Sequence, residues 1–255
     1  MYHQWAPDRP WRVAQAEEDV LFLHYEVDPT VVRRLVPPVF DLQLVGDAAW
    51  VGILSLTMAD VRFRVVPFRL PAAVRQFPEV DVVTYVTYAG RRGIYFLSIE
   101  SARRWLSPPV RWLTGLPYLY SGLRIDAEGG VVRVTAGPRP SQGAATAMFD
   151  VAYEPRATID PPVRGSPVHA LVDQLSAFVI DPFGQVCELD EVHEPWSLVE
   201  ANVEIRANTL GLACGIDLDD RPKLAHYARE RRILSWPGKV VRPGRPGLAP
   251  VSPRD

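Results

Sequence analysis

The chain has 255 residues and a mass of 28.5 kDa, of which 47% are hydrophobic and 23% are charged. These values exclude a disordered or fibrous chain, and the length allows a sizeable core without disulfides or structural metals. The formal net charge of -2 excludes the global positive field that gathers nucleic acid or an anionic membrane surface.

Two features of the sequence predict the compartment. Cys187 and Cys214 are the only cysteines, which suits a reducing cytosol and predicts two buried small residues rather than a disulfide framework. Met1–Pro10 lacks the basic and apolar regions of a signal peptide. The longest uncharged apolar stretch, Ala48–Ala59, is well short of the roughly 20 residues that a spanning helix needs. The sequence therefore predicts a soluble cytoplasmic protein without a membrane partner.

The first half of the chain alternates short apolar runs with turn residues. Asp28 before Pro29 predicts a helix start, and the helix is expected to end by Leu35. Ser101–Trp112 is expected to be partly helical and interrupted at Pro108 and Pro109. The predicted strands in this half are Asp19–Val27, Ala49–Met58, Glu79–Tyr88 and Ile94–Ile99.

The second half continues this pattern. The strongest helix prediction begins at Ser166 and Pro167 and runs to Phe178, because apolar residues recur at helical spacing. The predicted strands are Leu123–Asp126, Val131–Ala136, Ala145–Tyr153, Gln185–Val192 and Ser197–Ala207. The sum favours an α+β fold with a mainly antiparallel, closed sheet. We predict one domain over 1–241 and a flexible tail rich in proline, glycine and arginine over 242–255.

Most common functional motifs are missing from the sequence. The chain lacks a glycine-rich dinucleotide loop, a phosphate loop and a serine nucleophile elbow. His193-Glu194 has no second histidine at the spacing of zinc hydrolases, so we predict no metal and no cofactor. The arginine pairs at 91–92 and 103–104 favour a solvated face over a nucleic-acid site, because the net charge is negative.

Seven phrases, in this order, resemble the YqjF-like family, which is related to acetoacetate decarboxylase. They span roughly residues 18 to 236, and together they are more specific than any one alone. The phrases are Phe22–Pro29, Arg34–Pro37, Ala49–Gly52, Phe77–Glu79 with Thr84–Val86, Gly93–Phe96 with Ser98, Gly115–Tyr118, and Val192–Trp196. The resemblance implies a cone-like, partly closed antiparallel β-barrel around a deep pocket, with a few helices outside.

The resemblance also implies what chemistry is missing. Acetoacetate decarboxylase forms a Schiff base on a lysine that follows a Gly-x-Pro phrase and precedes a second lysine. Here Gly115-Leu116-Pro117 is followed by Tyr118 and Leu119, and the first-strand arginine of the decarboxylase aligns with Glu18. Only the pocket glutamate is retained, as Glu79. The resemblance therefore implies a divergent member that does not decarboxylate acetoacetate through an imine.

Glu79 and Tyr118 are the candidate catalytic residues. Glu79 and Asp81 are two residues apart on a predicted strand, so both point to one face, and a shared pocket would separate their pKa values. For Asp81 we favour a water-facing position at the start of the strand, whereas the resemblance favours the pocket for Glu79. Tyr118 either projects its phenol into the pocket as a proton or hydrogen-bond donor, or forms part of the wall.

Four further residues are lower-ranked candidates for substrate binding, after Glu79 and Tyr118. Tyr85 shares the predicted face of Glu79, Ser98 lies on the next strand, and Tyr120 and His193 are wall or pocket residues; for His193 a structural role is favoured over proton transfer.

Two functions remain open from the sequence. The first is a small-molecule enzyme that uses acid/base chemistry on a carbonyl or enolisable substrate, as a lyase, dehydratase, isomerase or cyclase. The alternative is a barrel that binds a small molecule and has lost catalysis with its lysine. Both predict a small organic partner and no nucleic acid. A homo-oligomer is one expectation, because acetoacetate decarboxylase relatives assemble, and a monomer or dimer is the other.

Overall fold

A computed structural model describes residues 6–105, 107–140, 146–159, 162–163 and 165–242. The strands are β1 (Val13–Val27), β2 (Asp41–Leu42), β3 (Ala49–Phe63), β4 (Phe77–Tyr88), β5 (Arg91–Ser101), β6 (Tyr118–Tyr120), β7 (Arg124–Glu128), β8 (Val131–Arg139), β9 (Ala147–Thr158), β10 (Ser176–Ile180), β11 (Val186–His193), β12 (Val199–Asn208), β13 (Leu224–Ser235) and β14 (Lys239–Val240). The helices are short: α1 (Pro29–Arg33), α2 (Ala72–Arg75), α3 (Ser107–Thr114), α4 (Pro167–Val172) and α5 (Leu210–Cys214).

The strands form one sheet that closes partly into a ring. The hydrogen-bonded order β11-β10-β5-β4-β3-β1-β13 returns to its start, because β13 also pairs with β11. From β13 the sheet continues outside the ring through β12, β9, β8 and β7. The pairings are antiparallel except those of β5 with β10 and with β6. The predicted α+β class and the mainly antiparallel, partly closed sheet are confirmed.

Alternating side chains divide the ring strands between two apolar cores. One face of β1, β3 and β4 packs against β8 and β9, as in the cluster that holds Leu21, Val80 and Val151. The opposite face carries Phe22 and Trp196, whose rings meet edge to face with centroids 4.8 Å apart. Ionisable side chains of β1, β4, β11 and β13 act on one another's pKa values from this second face, so it is the inner face of the ring.

The strongest predicted helix is wrong in its second half. α4 ends at Val172, and Ser176–Ile180 forms β10 instead, paired antiparallel with β11. The apolar spacing predicted a helix as far as Phe178. In the structure Phe178 belongs to β10, where its ring is buried among other aromatic rings. Tertiary pairing has overridden a local helical pattern here. Pro108 and Pro109 do not interrupt α3 but lie in its first turn, where a missing N–H costs nothing.

β13 was not predicted from the sequence. Its centre, Arg229–Arg232, consists of charged residues, which are typical of an exposed surface and not of a ring strand. Nevertheless β13 pairs with β1 from Leu224 to Ser235. Within the described part of the chain, no helix is long and apolar enough to cross a membrane. The predicted tail lies outside the described residues except for Arg242, and the one-domain prediction stays a prediction.

Candidate active site

β4 places two carboxyl groups side by side on the inner face of the ring. Glu79 is 3% exposed and Asp81 is 7% exposed. The expectation that Asp81 faces water is wrong, because β4 begins at Phe77 and is covered on both edges, with Leu54 opposite Asp81 on β3 and Ile99 opposite it on β5. Glu79 Oε1 and Asp81 Oδ1 have no hydrogen-bond partner in the described structure.

A short parallel strand brings a phenol to these carboxyls. The loop before β6 turns at Gly115, whose φ of +75° is open to glycine but strained for other residues. β6 then pairs with β5 so that Tyr118 lies opposite Ile99. The Tyr118 hydroxyl donates a hydrogen bond to Glu79 Oε2 over 3.4 Å. The two candidate catalytic residues therefore meet.

Burial controls the protonation of this group. Loss of water raises the pKa of Glu79 to about 8, although the hydrogen bond from Tyr118 opposes the change. The pKa of Asp81 is raised well above its ordinary value by burial and then by the charges of Glu79 and Glu17. Burial and the neighbouring carboxylates also raise the pKa of Tyr118, so its hydroxyl stays protonated and donates.

Three ionisable residues of this cluster were missed by the sequence analysis: Glu17, Glu191 and Arg231. Burial raises the pKa of Glu17 to about 7, against the effect of Arg231. Burial also raises the pKa of Glu191, and lowers that of Arg231 to about 9. Because Glu17, Glu191 and Tyr118 are only half-buried as whole residues, the cluster is not fully sealed by protein atoms. We call these three residues with Glu79, Asp81 and Tyr118 the inner cluster.

A local break in strand alternation explains why Glu17 was missed. Val20 and Phe22 face the inner apolar core, so strict alternation would turn Glu18 inward, where the resemblance had aligned the decarboxylase arginine. Asp19 has a φ of +52°, and the pairing of β1 with β3 shifts register between Glu18 and Leu21. This bulge turns Glu17 toward the cluster instead.

His193 holds Arg231 and is not positioned as a proton carrier. Arg231 Nη1 donates to His193 Nδ1 over 2.9 Å, and His193 Nε2 lies 3.1 Å from the carbonyl oxygen of Gln174. Because a guanidinium can only donate, Nδ1 accepts from Arg231 and the ring proton is on Nε2, which donates to Gln174. Nδ1 also lies 3.0 Å from the carbonyl oxygen of Glu194, to which it does not donate in this tautomer. Burial, and then Arg231, lower the pKa of His193 to about 4. The favoured structural role therefore agrees with the geometry.

The other three candidates lie away from the inner cluster. Tyr85 is on the inner face, but its hydroxyl bonds His24 Nε2 at 2.7 Å. Tyr120 is 45% exposed. Ser98 lies opposite Val82 on β4, before a register shift between Val82 and Val83, and so faces the same side of the sheet as Val82, away from the inner face.

Ser98 instead lines a cavity of about 340 Å³ behind β5 and β6. There Cys214 Sγ lies 3.7 Å from Ser98 Oγ, and Cys214 is half-buried rather than fully buried. Arg139 at the wall of this cavity binds the fully buried Glu100 through two hydrogen bonds of 2.6 and 2.8 Å. Its guanidinium is thus already neutralised by a protein carboxylate.

The carboxyl groups of the inner cluster are not arranged as a set of metal ligands. Among the described residues, no three histidine, cysteine, aspartate or glutamate side chains converge closely enough to hold a metal ion. The carboxyl groups are near enough to shift each other's pKa values but do not form a ligand shell.

The partly closed ring that buries a group of carboxyl side chains has an acetoacetate decarboxylase-like fold, and solved structures share it. The acetoacetate decarboxylase of Legionella pneumophila is 14% identical, with a TM-score of 0.62 and 94% of each chain covered. An acetoacetate decarboxylase-like enzyme from Sphingomonas wittichii RW1 is also 14% identical, with a TM-score of 0.62 and coverage of 92% of this chain and 95% of that one. The enduracididine biosynthesis enzyme MppR, complexed with the condensation product of pyruvate and imidazole 4-carboxaldehyde, gives 14% identity and a TM-score of 0.62 over 91% of this chain and 90% of its own.

Sequence comparison assigns the family. The chain belongs to the DUF2071 family, described as an uncharacterized conserved protein, whose profile matches residues 14–232. It is also 33% identical over 238 residues to the uncharacterized protein YqjF of Bacillus subtilis (strain 168), covering 91% of this chain and 93% of that protein. The resemblance seen in the sequence is confirmed.

Proposed function

We propose that the protein is a small-molecule enzyme that moves a proton at the carbon next to a carbonyl group, with Glu79 as acid/base and Tyr118 as hydrogen-bond donor. The observation that carries this proposal is the buried Glu79 carboxyl, with a pKa raised to about 8 and a phenol donating to it over 3.4 Å. A group whose pKa lies near neutral pH holds and releases a proton with similar ease. Lyase, dehydratase, isomerase and cyclase reactions all use such a step.

The two residues have complementary roles in this step. The ionised Glu79 takes the α-proton, and the electron pair of the C–H bond moves toward the carbonyl carbon and oxygen. The oxygen, now an enolate, accepts a hydrogen bond from the Tyr118 hydroxyl, which is a donor because burial raises its pKa. Protonated Glu79 then returns the proton to carbon or to a leaving group. Burial and then the charge of Glu17 raise the pKa of Glu79, so that this carboxyl holds its proton near neutral pH and passes through the ionised form that takes the α-proton.

This step replaces the Schiff-base route because no lysine amine lies in the inner cluster. Lys223 is largely exposed, near Glu26, with 3.7 Å between Nζ and Oε2. Lys239 is bound by Asp190 at 2.8 Å and by Glu188 at 3.2 Å. The two lysines of the chain are thus either in solvent or ion-paired, and neither resembles the desolvated amine that imine chemistry needs.

Exchange of α-protons with solvent tests the proposal without knowledge of the full reaction. The wild-type protein is incubated in D₂O with a panel of methyl ketones, keto acids and β-diketones, and the loss of α-proton signals is followed by ¹H NMR. We expect catalysed exchange in at least one compound, and about a hundredfold or greater loss of that rate in Glu79→Gln. Tyr118→Phe is expected to slow it less, because the carboxyl base remains.

Two exposed substitutions serve as controls. Tyr120→Phe removes a hydroxyl from the same strand at a 45% exposed position, and Glu128→Gln removes a carboxyl at an exposed end of β7. Both are expected to keep the wild-type exchange rate. An unchanged rate in Glu79→Gln would remove this residue from the mechanism. Binding of a panel compound without any exchange would favour the non-catalytic binding barrel.

A further inference from the structure

Arg231 is a buried cation that lies flat on an aromatic ring. Its residue is 8% exposed, and its guanidinium carbon lies 3.2 Å from the centre of the Trp196 ring. His193 Nδ1 accepts a hydrogen bond from Nη1 at 2.9 Å. Because the ring fixes the plane and the histidine fixes the rotation, the guanidinium is held in one orientation before any ligand arrives.

The guanidinium lacks the carboxylate that a buried cation normally has. Among the described residues, no carboxylate oxygen lies within 4 Å of its nitrogens, whereas Arg139 binds the buried Glu100 at 2.6 Å. Within the described ranges Nε has no hydrogen-bond partner, and the contact with His193 uses only Nη1. Glu17 and Glu191 are near enough to act on its charge but do not bind it. The cost of burying this charge is therefore only partly offset by the protein.

The free groups have the geometry of an anion site. With Nη1 occupied, Nε and Nη2 form the edge of the guanidinium that binds a carboxylate through two parallel hydrogen bonds. Among the described residues, none forms a hydrogen bond with Nε or Nη2. A substrate carboxylate placed there would supply the charge that Glu17 and Glu191 supply only from a distance.

We propose that Arg231 binds a carboxylate of the substrate, at a distance of several atoms from the carbon that Glu79 deprotonates. The separation follows from the sheet. Arg231 lies on β13 and Glu79 on β4, with β1 and β3 between them, so at about 4.8 Å per strand the backbones are about 14 Å apart. Arg231 is not among the groups that shift the pKa of Glu79, which agrees with this separation. This assignment rests on the proposed function and narrows the substrate to a keto acid with a remote carboxylate.

The inner cluster admits such an anion despite its carboxyl groups. Burial raises the pKa values of Glu17, Glu79, Asp81 and Glu191, so these groups carry less negative charge at neutral pH than exposed carboxyls do. Arg231 keeps its charge there, because its pKa is lowered only to about 9. Repulsion of an incoming carboxylate is thus weakened while the attraction remains.

A matched pair of ligands tests the assignment. 5-Oxohexanoate carries a methyl ketone and a carboxylate three methylene groups apart, and 2-hexanone replaces that carboxylate with a methyl group. Binding of each is measured by ligand-observed NMR titration to the wild type, Arg231→Met, Arg231→Lys and Arg232→Met. Arg232 is the control because its side chain is 83% exposed on the same strand.

We expect the wild type and Arg232→Met to prefer the acid, and Arg231→Met to lose about tenfold or more of that affinity while its affinity for 2-hexanone stays the same. Arg231→Lys is expected to recover part of the loss. In the wild type, the acid is also expected to shift the Arg231 Nε–H signal. This measurement tests the assignment even if Arg231→Met does not fold. Equal binding of the two ligands by the wild type, no binding of the acid, or full binding by Arg231→Met would overturn the assignment.

The same samples separate this assignment from the proposed function. If Glu79→Gln binds 5-oxohexanoate normally and the wild type exchanges the α-protons of this acid, both the Arg231 assignment and the proposed function hold. If the acid binds through Arg231 but the wild type exchanges nothing, the proposed function fails and the anion site stands. If 2-hexanone is exchanged as fast as the acid at equal concentration, Arg231 is not a substrate anchor and only the proposed function stands.

Discussion

Replacing Glu79 with glutamine should change how the stability of the protein depends on pH. The folded chain holds the Glu79 proton more tightly than the unfolded chain, because the pKa rises from 4.5 to about 8 on burial. The stabilisation is therefore fully present below about pH 4.5 and is lost as the pH rises through about 8. At about 1.4 kcal/mol per pKa unit the full difference corresponds to about 5 kcal/mol, and the interaction with Asp81 makes this an upper bound.

Urea denaturation of the wild type and of Glu79→Gln at pH 5, 7 and 8.5 measures this effect. Glutamine resembles the protonated acid, so the two free energies of unfolding should agree within about 1 kcal/mol at pH 5. At pH 8.5 the variant should be more stable by about 2–5 kcal/mol. Glu17, Asp81 and Glu191 contribute to the slope in both proteins, so the difference isolates Glu79. Glu128→Gln is the exposed control. Parallel curves for the wild type and Glu79→Gln would refute the argument.

Two further predictions concern the loop and the missing lysine. Treatment with acetoacetate and borohydride should leave the mass of the protein unchanged, because Lys223 is solvated and Lys239 is ion-paired; a reduced adduct on either lysine, seen by peptide mass spectrometry, would contradict this. Gly115→Ala should lower the free energy of unfolding by about 2 kcal/mol or more, because the residue has a φ of +75° and an added Cβ would overlap the carbonyl oxygen of Ile180. Gly90→Ala also has a positive φ but has open space around its Cβ, so it should cost less, and equal losses would contradict the steric part.

The sequence predicted the fold, whereas the roles of Glu79 and Tyr118 stay predictions. Tyr118 was placed by the Gly115-Leu116-Pro117 phrase, and Glu79 by a strand signal and a family phrase, both of which are local. The meeting of the two side chains depends on β6 pairing with β5, a contact that the local pattern does not encode. Asp81 was misplaced for the same reason, because only the neighbouring strands show that the start of β4 is covered.

The other residues of the inner cluster could not be predicted from the alternation of side chains along a strand. A single residue with positive φ, Asp19, reverses which of Glu17 and Glu18 faces inward, and aspartate at that position carries no unique signal. Arg231 lies in a run of charges that favours an exposed segment, and only its pairing opposite Glu17 shows that it is internal. Chain order places β13 last among the ring strands, so its partners are distant in sequence.

The most direct test of the acid/base assignment is the titration of Glu79 itself. Protein labelled with ¹³C at the glutamate side-chain carboxyl is titrated by NMR from pH 4 to pH 10, and the Glu79 signal is assigned by its absence in Glu79→Gln. A carboxyl that titrates near pH 8, and higher still in Tyr118→Phe because a hydrogen bond to its ionised form is lost, is the expected result. A Glu79 carboxyl that titrates near 4.5 in both proteins would contradict the account, since neither the burial that raises its pKa nor the hydrogen bond from Tyr118 would then act on it.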